Sequence, residues 1–287
     1  MGIPYAEVIG DPVAHSKSPL IHKFWLEKLG IEGDYRQARI SPGQLPAYLY
    51  SARHDPLWCG ASVTIPLKRR AAELADQLVF PAQSIGAVNT IVREGRSQPV
   101  MIGHNTDAAG FLAPLGSWLE REPGVRLATL IGTGGAAAAV AWALRREGFL
   151  VFVHSRTAER AEAFLQSLGE EDMDFAQPLD LLSNDLAGEW GDRSDVAEIL
   201  INATPLGMTG CPPLEVNVAR LPPDMIVYDL VYDPVETPLL KAARERGLRT
   251  ISGLDMLIKQ AALAFELFFA QRAPREHDAE LRGLLTS

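Results

Sequence analysis

Cysteine and histidine are scarce in this sequence, and neither is spaced as a metal site or a disulfide framework requires. Cys59 and Cys211 lie far apart with no C-x-x-C spacing, and the six histidines form no H-x-H or i,i+4 pair. No histidine or basic residue adjoins Cys59, so we interpret its side chain as an inert buried thiol rather than a nucleophile. We therefore expect neither a metal centre nor a disulfide.

An excess of basic residues and long apolar runs are also lacking. The chain has 27 Lys and Arg against 36 Asp and Glu, a formal net charge of -9, whereas nucleic-acid binding depends on basic surface that neutralises phosphates. No apolar run reaches the length of a membrane span, and the first residues lack a basic segment followed by an apolar signal core. We expect a cytoplasmic protein that binds neither nucleic acid nor membrane. The sequence leaves open whether it is a monomer or a homodimer.

The sequence does contain an alternation of short apolar runs with longer segments that are compatible with helices. Its 287 residues are enough for two domains, and its 47% apolar and 22% charged residues are those of an ordinary globular protein. This alternation predicts an α/β fold with mainly parallel sheet. The patterns predict a helix from Pro19 to Leu29 with Ser18 as its N-cap, two strands at 88–92 and 99–102 that pair with each other, and an exposed loop at 188–195.

A glycine-rich motif follows the apolar run Val125–Ile131, which is too apolar to be exposed on either face. The motif is Gly132-x-Gly134-x-x-Ala137, and an alanine-rich helix and a further strand come after it. Strand, glycine-rich turn, helix and strand in this order are typical of a dinucleotide-binding fold. Gly132 permits the tight turn, Gly134 lets the backbone approach a pyrophosphate, and Ala137 allows the helix to pack closely. The sequence therefore predicts a Rossmann-like domain.

The end of the second strand of this motif discriminates between cofactors. Folds that choose NAD usually carry an Asp or Glu there to bind the ribose hydroxyls, whereas this chain has His154-Ser155-Arg156-Thr157, with Arg160 following. A guanidinium at this place can bind a 2′-phosphate through paired donors, and Arg160 lies within one helical turn of Arg156. The residues predict NADP. The alternative is an ordinary surface helix that starts with Thr157 as its N-cap.

Two further positions offer acid and base chemistry. Lys68 follows the apolar, proline-stopped stretch 60–67, and Asp107 lies in a glycine-flanked turn. We interpret them as a catalytic pair facing a nicotinamide, because a dinucleotide loop follows. The alternatives are that Lys68 opens a solvated basic helix and that Asp107 is an ordinary N-cap. Gln260 interrupts an apolar helix, and it is either a ligand contact or a core amide with hydrogen-bond partners.

Ordered blocks along the whole chain match one family. They are His15-Ser16-Lys17-Ser18-Pro19, Ser62-Val63-Thr64-Ile65-Pro66-Leu67-Lys68, Ile85-Gly86-Ala87-Val88-Asn89-Thr90, Asn105-Thr106-Asp107, Gly132-Thr133-Gly134-Gly135, Ser155-Arg156-Thr157, Asn202-Ala203-Thr204-Pro205-Leu206-Gly207-Met208, Tyr232-Asp233-Pro234 and Gly253-Leu254-Asp255-Met256-Leu257. With these blocks the chain resembles the shikimate dehydrogenases from end to end. The resemblance implies NADPH-dependent reduction of 3-dehydroshikimate to shikimate, in aromatic amino-acid and chorismate biosynthesis.

The resemblance also implies a role for each matched residue. It makes Lys68 and Asp107 the catalytic pair. The substrate-binding residues that it implies are Ser16, Ser18, Thr64, Asn89, Asp107, Tyr232 and Gln260. The cofactor-binding residues that it implies are Gly132, Gly134, Gly135, Ala136, Ser155, Arg156, Thr157, Arg160, Thr204, Gly253 and Met256. We expect residues 1–107, completed by C-terminal helices in 253–287, to form a substrate-binding domain, and residues 108–252 to form an NADP-binding Rossmann domain.

Some residues depart from the family pattern. Ser62 stands where the family usually has Asn before Val-Thr, and Ser155 replaces the Asn of the usual Asn-Arg-Thr. Ser62 lies beside the expected substrate wall, which leaves open a paralogue that acts on quinate or on an amino-substituted analogue. A second alternative is a dinucleotide-binding regulatory protein without turnover, and the intact Lys68 and Asp107 argue against it.

Overall fold

The computed structural model describes residues 2–95, 97–120, 123–169, 174–179 and 195–286. The chain forms two compact units, one of Met1–Asp107 with Ile258–Ser287 and the other of Ala108–Leu257. Each unit is built on one six-stranded sheet. The predicted α/β class with mainly parallel sheet is confirmed. Residues 188–194 of the predicted exposed loop lie outside the described residues.

The sheet of the first unit has the strand order β2-β1-β3-β5-β6-β4. Its strands are β1 (Tyr5–Gly10), β2 (Asp34–Arg39), β3 (Trp58–Val63), β4 (Gln77–Leu78), β5 (Thr90–Glu94) and β6 (Val100–His104). β5 runs antiparallel to both of its neighbours, while the other pairings are parallel. The predicted pairing of the segments on either side of Gly95 is confirmed, since Glu94 pairs with Val100.

Five α-helices lie wholly within the described part of the first unit, and the residues at both ends of the first one explain where it starts and stops. The five helices are α1 (Ser18–Leu29), α2 (Leu45–His54), α3 (Lys68–Leu74), α4 (Ala82–Ile85) and, at the end of the chain, α11 (Asp278–Thr286). Pro19 lies in the first turn of α1, and Gly30 ends the helix in the left-handed conformation with φ 63°. The prediction that Ser18 is the N-cap was wrong, because the helix already includes Ser18; the N-cap is Lys17, whose side chain makes no capping hydrogen bond.

Two apolar clusters cover the two faces of the first sheet, as the alternation along β1 requires. Ile9 belongs to a buried cluster with Trp58 and Ile91, and the preceding residue Val8 belongs to a second cluster with Phe268. Phe268 lies on α10 (Gly253–Phe269), which begins in the second unit and continues into the first. Both faces of the sheet are therefore packed against apolar residues, and the loops at the strand ends extend from a well-packed scaffold.

The second unit has a fully parallel sheet of strand order β12-β11-β10-β7-β8-β9. Its strands are β7 (Val125–Ile131), β8 (Leu150–Ser155), β9 (Asp174–Pro178), β10 (Val196–Asn202), β11 (Ile226–Asp229) and β12 (Arg249–Ser252). Its helices are α5 (Asp107–Leu112), α6 (Gly116–Leu119), α7 (Gly135–Arg146), α8 (Ala158–Ser167) and α9 (Pro238–Glu245). The strand order reverses beside β7, so the loops after β7 and β10 begin at a topological switch point. Across the described ranges, no helix is both long and apolar enough to cross a membrane.

Candidate active site

Antiparallel β5 explains why distant residues of the first unit meet at one sheet edge. β3 and β6 end at this edge, and β5 begins there, because an antiparallel strand starts where its neighbours stop. Ser62, Thr90 and His104 consequently lie in one row across the three strands. The residues just beyond the row are the ones that the sequence singled out: Thr64 after β3, Asn89 before β5 and Asp107 after β6.

Lys68 and Asp107 form an ion pair, although 39 positions separate them. The Lys68 ammonium contacts Asp107 Oδ2, and the two side chains are 13% and 5% exposed. Lys68 is the first residue of α3, as the solvated-helix alternative expected, but its side chain is turned to the carboxylate. Asn105 makes the hydrogen bond at the start of α5, where its Oδ1 accepts from the Asp107 N–H at 3.1 Å. The Asp107 carboxylate is thereby directed at Lys68 and not at the helix start.

The Asn89 side chain ties this pair to the other predicted residues. Its Nδ2 donates to Asp107 Oδ1 at 2.9 Å, to Thr106 Oγ1 at 2.8 Å and to Gln260 Oε1 at 3.2 Å. Its Oδ1 accepts from the Thr106 N–H at 2.8 Å. Gln260 is therefore a hydrogen-bonded amide, as the core-amide alternative expects, and its contact with a ligand stays a prediction. Asn105 and Thr106 were assigned no role from the sequence, although they stand beside Asp107 in the same block.

A second cluster of hydroxyl groups lies next to Ser62. The Tyr35 hydroxyl donates to Ser62 Oγ at 2.7 Å and is also hydrogen-bonded to Ser18. All three residues are buried, and burial raises the pKa of Tyr35 well above its ordinary value, so the phenol stays protonated. Ser16 Oγ accepts from the Ser18 N–H at 3.3 Å. Tyr35 was not predicted from the sequence, where its only signal is an aromatic residue in an otherwise polar strand.

Thr64 and Ser16 complete the set of predicted residues in the first unit. The Thr64 N–H donates to the carbonyl of Ile9 at 2.9 Å, which continues the β1–β3 ladder beyond the last strand residue. Gly10 makes room for this approach, because a Cβ there would lie 2.8 Å from the carbonyl oxygen of Ile65. The Ser16 N–H donates to the carbonyl of Val13 at 3.0 Å. Both residues are partly exposed, so their side chains are accessible to a ligand.

The glycine-rich turn of the second unit has the backbone that a pyrophosphate needs. Gly132 has φ +114°, and a Cβ there would lie 3.0 Å from the Ala203 carbonyl oxygen and from Thr204 Cγ2. Gly134 faces open space, since a Cβ added there would have no neighbouring atom within 4 Å among the described residues. α7 begins at Gly135, so the N–H groups of Gly135 and Ala136 lie in its first turn, where a helix binds anions.

The tip of β8 carries the residues predicted to bind the 2′-phosphate. Ser155 is buried, and its hydroxyl has no hydrogen-bond partner among the described residues. Arg156 and Arg160 are exposed and carry no ion pair within the described ranges. Thr157 takes the N-cap position of α8 with φ -142°, but its side chain caps no backbone N–H. A buried donor and two exposed guanidinium groups at one strand end fit a phosphorylated ribose.

The remaining predicted residues of the second unit also lie beyond strand ends. Thr204 follows β10, Tyr232 follows β11, and Gly253 and Met256 follow β12. Gly253 lies against the segment that follows β11, since a Cβ there would lie 2.7 Å from the Val231 carbonyl oxygen. Met256 is 7% exposed. Within the described ranges, no three His, Cys, Asp or Glu residues are grouped as metal ligands.

Comparison with known proteins identifies the family. The profile of the shikimate dehydrogenase substrate binding domain matches residues 8–91, and that of the shikimate 5′-dehydrogenase C-terminal domain matches residues 253–280. Shikimate dehydrogenase (NADP(+)) of Sphingopyxis alaskensis is 48% identical over 286 residues, which are 99% of this chain and 97% of the relative.

Solved structures extend this similarity to the fold. The Thermus thermophilus shikimate 5-dehydrogenase, in complex with NADP(H) and shikimate, is 34% identical and superposes with a TM-score of 0.79 over 99% of this chain and 100% of that one. Quinate dehydrogenase from Corynebacterium glutamicum, in complex with NAD, is 28% identical with a TM-score of 0.84 over 98% and 99% of the two chains. The sequence similarity to the Sphingopyxis relative covers nearly the full length of both chains. This chain therefore belongs to the shikimate dehydrogenase family.

Proposed function

We propose that this protein catalyses the reversible NADP-dependent reduction of 3-dehydroshikimate to shikimate, a step of aromatic and chorismate biosynthesis. The observation that carries the proposal is the partly buried Lys68–Asp107 pair, which Asn89 connects to Gln260. The named activity of the Sphingopyxis relative supports it. A regulatory protein that had lost turnover would have no need to keep a lysine paired with the buried Asp107 carboxylate.

Lys68 and Asp107 have different roles in the proton transfer. NADPH, when bound, supplies a hydride to the carbonyl carbon of the substrate. Negative charge then develops on the carbonyl oxygen, and the Lys68 ammonium stabilises this charge and donates a proton to it. Asp107 orients the ammonium and accepts a hydrogen bond from a substrate hydroxyl. Asn89 holds the carboxylate in place, because its Nδ2 donates to Asp107 Oδ1 at 2.9 Å.

The other predicted residues bind and orient. Ser16 and Ser18, at the start of α1, bind the substrate carboxylate, which the helix N-terminus favours. Thr64, Gln260 and Tyr232 bind the remaining substrate groups. In the second unit, the turn at Gly132 and Gly134 binds the pyrophosphate, and Arg156 binds the 2′-phosphate with the help of Arg160. Met256 would contact the nicotinamide of bound NADP. We assign substrate binding to the first unit, with Tyr232 of the second unit as a further contact, and NADP binding to the second unit.

Quinate is the second candidate substrate. Ser62 favours it, because the shorter side chain at the substrate wall leaves room for a further ring substituent. The structural similarity to the Corynebacterium quinate dehydrogenase is compatible with it. Three other properties stay predictions from the sequence: a cytoplasmic location, the lack of a nucleic-acid partner, and a monomeric or homodimeric state.

Steady-state kinetics with shikimate and quinate, each against NADP and NAD, tests the proposal. We expect the highest kcat/KM with shikimate and NADP. A higher kcat/KM with quinate would replace the substrate assignment, and the lack of turnover with either substrate would favour the regulatory alternative. Lys68→Met serves as the inactive control for background reduction.

A further inference from the structure

Asn202 and Asp229 form a fully buried polar pair at the ends of two neighbouring parallel strands. They are aligned in the register of β10 and β11, and both are 0% exposed. Asn202 Nδ2 donates to Asp229 Oδ1 at 2.9 Å. The same carboxylate accepts from the Val231 N–H at 3.0 Å and from Thr237 Oγ1 at 2.6 Å. Burial raises the pKa of Asp229, and the three hydrogen bonds offset only part of this rise.

The carboxylate decides which way the Asn202 amide points. An ionised carboxylate only accepts hydrogen bonds, so the NH₂ end of the Asn202 amide must face it. The second hydrogen of this NH₂ group goes to the carbonyl of Leu206 at 2.9 Å. Asn202 Oδ1 is thereby turned the other way, where it accepts from the Thr204 N–H at 3.0 Å and from Thr204 Oγ1 at 2.7 Å. Every hydrogen-bonding position of the amide is in use.

Thr204 in turn lies against the glycine-rich turn. The chain passes so close that a Cβ on Gly132 would lie 3.0 Å from Thr204 Cγ2. Thr204 Oγ1 also accepts from the Leu206 N–H at 3.1 Å. The orientation of Asn202 therefore fixes both the backbone and the hydroxyl of Thr204 at the place where the pyrophosphate turn begins.

We infer that Asp229 is a positioning residue for NADP binding: it acts through Asn202 to hold Thr204 beside the glycine-rich turn. The inference rests on the proposed function, which places NADP at this turn. Asp229 itself is fully buried behind Asn202 and does not need to touch the cofactor. Its effect is expected on NADP affinity and not on the chemistry at Lys68, which belongs to the other unit.

The test is a set of variants whose NADPH affinity is measured directly by the change in NADPH fluorescence on titration. Asp229→Ala is expected to weaken NADPH binding about tenfold. A water molecule that replaces the carboxylate can donate as well as accept hydrogen bonds, so it does not fix the orientation of the Asn202 amide. KM for shikimate and kcat at saturating NADP should stay within about threefold. Asp229→Asn keeps an acceptor oxygen for Asn202 and should restore most of the affinity.

Thr237→Val is the matched control in the same buried cluster. It removes the hydrogen bond to Asp229 Oδ2 and the helix cap that the hydroxyl gives to the Leu240 N–H at 3.2 Å, but it leaves the contact with Asn202 intact. We expect a lower Tm with NADPH affinity within about twofold of wild type, because Thr204 keeps its position. An affinity loss equal to that of Asp229→Ala would show that both variants act only through stability.

A second route keeps the inference testable if Asp229→Ala does not fold. Asn202→Ala preserves the bonds of Asp229 to Val231 and Thr237. It removes both hydrogen bonds from Thr204, together with those to Asp229 and to the Leu206 carbonyl, so it should lower the affinity at least as much as Asp229→Ala does. Wild-type affinity in a folded Asn202→Ala protein would overturn the inference. Turnover of shikimate by the wild-type protein tests the proposed function separately, so failure of one does not imply failure of the other.

Discussion

His22 gives the protein a dependence on pH that can be worked out from its surroundings. The ring is fully buried, stacks on Tyr35 at 4.0 Å and has Trp25 and Phe265 as further aromatic neighbours. Neither ring nitrogen has a hydrogen-bond partner among the described residues. Burial lowers the pKa of His22 from its ordinary value of 6.5 to about 3, since a charged ring would lose its hydration without gaining a partner.

The sign and the size of the effect follow from this shift. A lowered pKa means that the unfolded chain binds a proton more readily than the folded one, so His22 favours folding above pH 6.5 and this contribution is lost as the pH falls towards 3. The loss amounts to about 2 kcal/mol between pH 7.5 and pH 5.0, and to about 4–5 kcal/mol once both states are protonated. A loss of about 2 kcal/mol is a large part of the stability of an ordinary domain.

The assay compares wild type with His22→Phe, because phenylalanine fits an aromatic cluster and has no proton to bind. Urea unfolding is measured at pH 7.5 and pH 5.0. The transition is monitored by hydrogen exchange of peptides from residues 2–95, because these peptides report on the unit that contains His22. Wild type should lose about 2 kcal/mol more than the variant between the two pH values. Burial also lowers the pKa of His104 and His154, but both occur in the two proteins and cancel in the difference. An equal loss in wild type and variant would refute the argument.

Three predictions concern catalysis and specificity. Lys68→Met should lower kcat about a hundredfold or more and change KM for shikimate little, because the ammonium acts on charge formed in the transition state. Circular dichroism controls for folding, and a variant that kept more than about a tenth of wild-type kcat would exclude Lys68 as the principal acid. Arg156→Ala should raise KM for NADP about tenfold and leave KM for NAD nearly unchanged, as only the 2′-phosphate uses the guanidinium; equal losses would make Arg156 structural. Ser62→Asn should lower kcat/KM for shikimate, because the longer amide meets the buried Tyr35 hydroxyl, and adding Tyr35→Phe should restore part of it. Kinetics with shikimate and quinate measure both variants, and a lack of restoration would contradict the coupling.

Most of the fold could be predicted because its elements carry strong local patterns. β7 is a long apolar run that ends in glycine, and α1 is bounded by Pro19 and Gly30, so each boundary has a chemical cause in the sequence. The two-residue strand β4 and the four-residue helix α4 were not predicted. Such short elements have no periodicity of their own, and tertiary contacts decide whether they form.

The candidate site was predictable where its residues stand in continuous blocks. Lys68 and Asp107 each close such a block, and the sheet then brings the two blocks together. Asn202 and Asp229 are the last residues of β10 and β11, but nothing local in the sequence shows that these two strands are neighbours. Their pairing depends on the strand order β11-β10-β7, which a single sequence does not reveal.

Tyr35 shows why a departure from a family pattern cannot be interpreted one residue at a time. At the level of the sequence, Ser62 in place of Asn is a loss of polar reach, and it puts the substrate in doubt. In the structure, β1 lies between β2 and β3, so Tyr35 must reach over β1 to meet Ser62. A tyrosine side chain is long enough to do so. Its hydroxyl places a second polar atom beside Ser62 Oγ, where the longer Asn of the family would place its amide. If the proposed function holds, two residues on strands that are not neighbours form the substrate wall at this point, and we expect the specificity to depend on the pair.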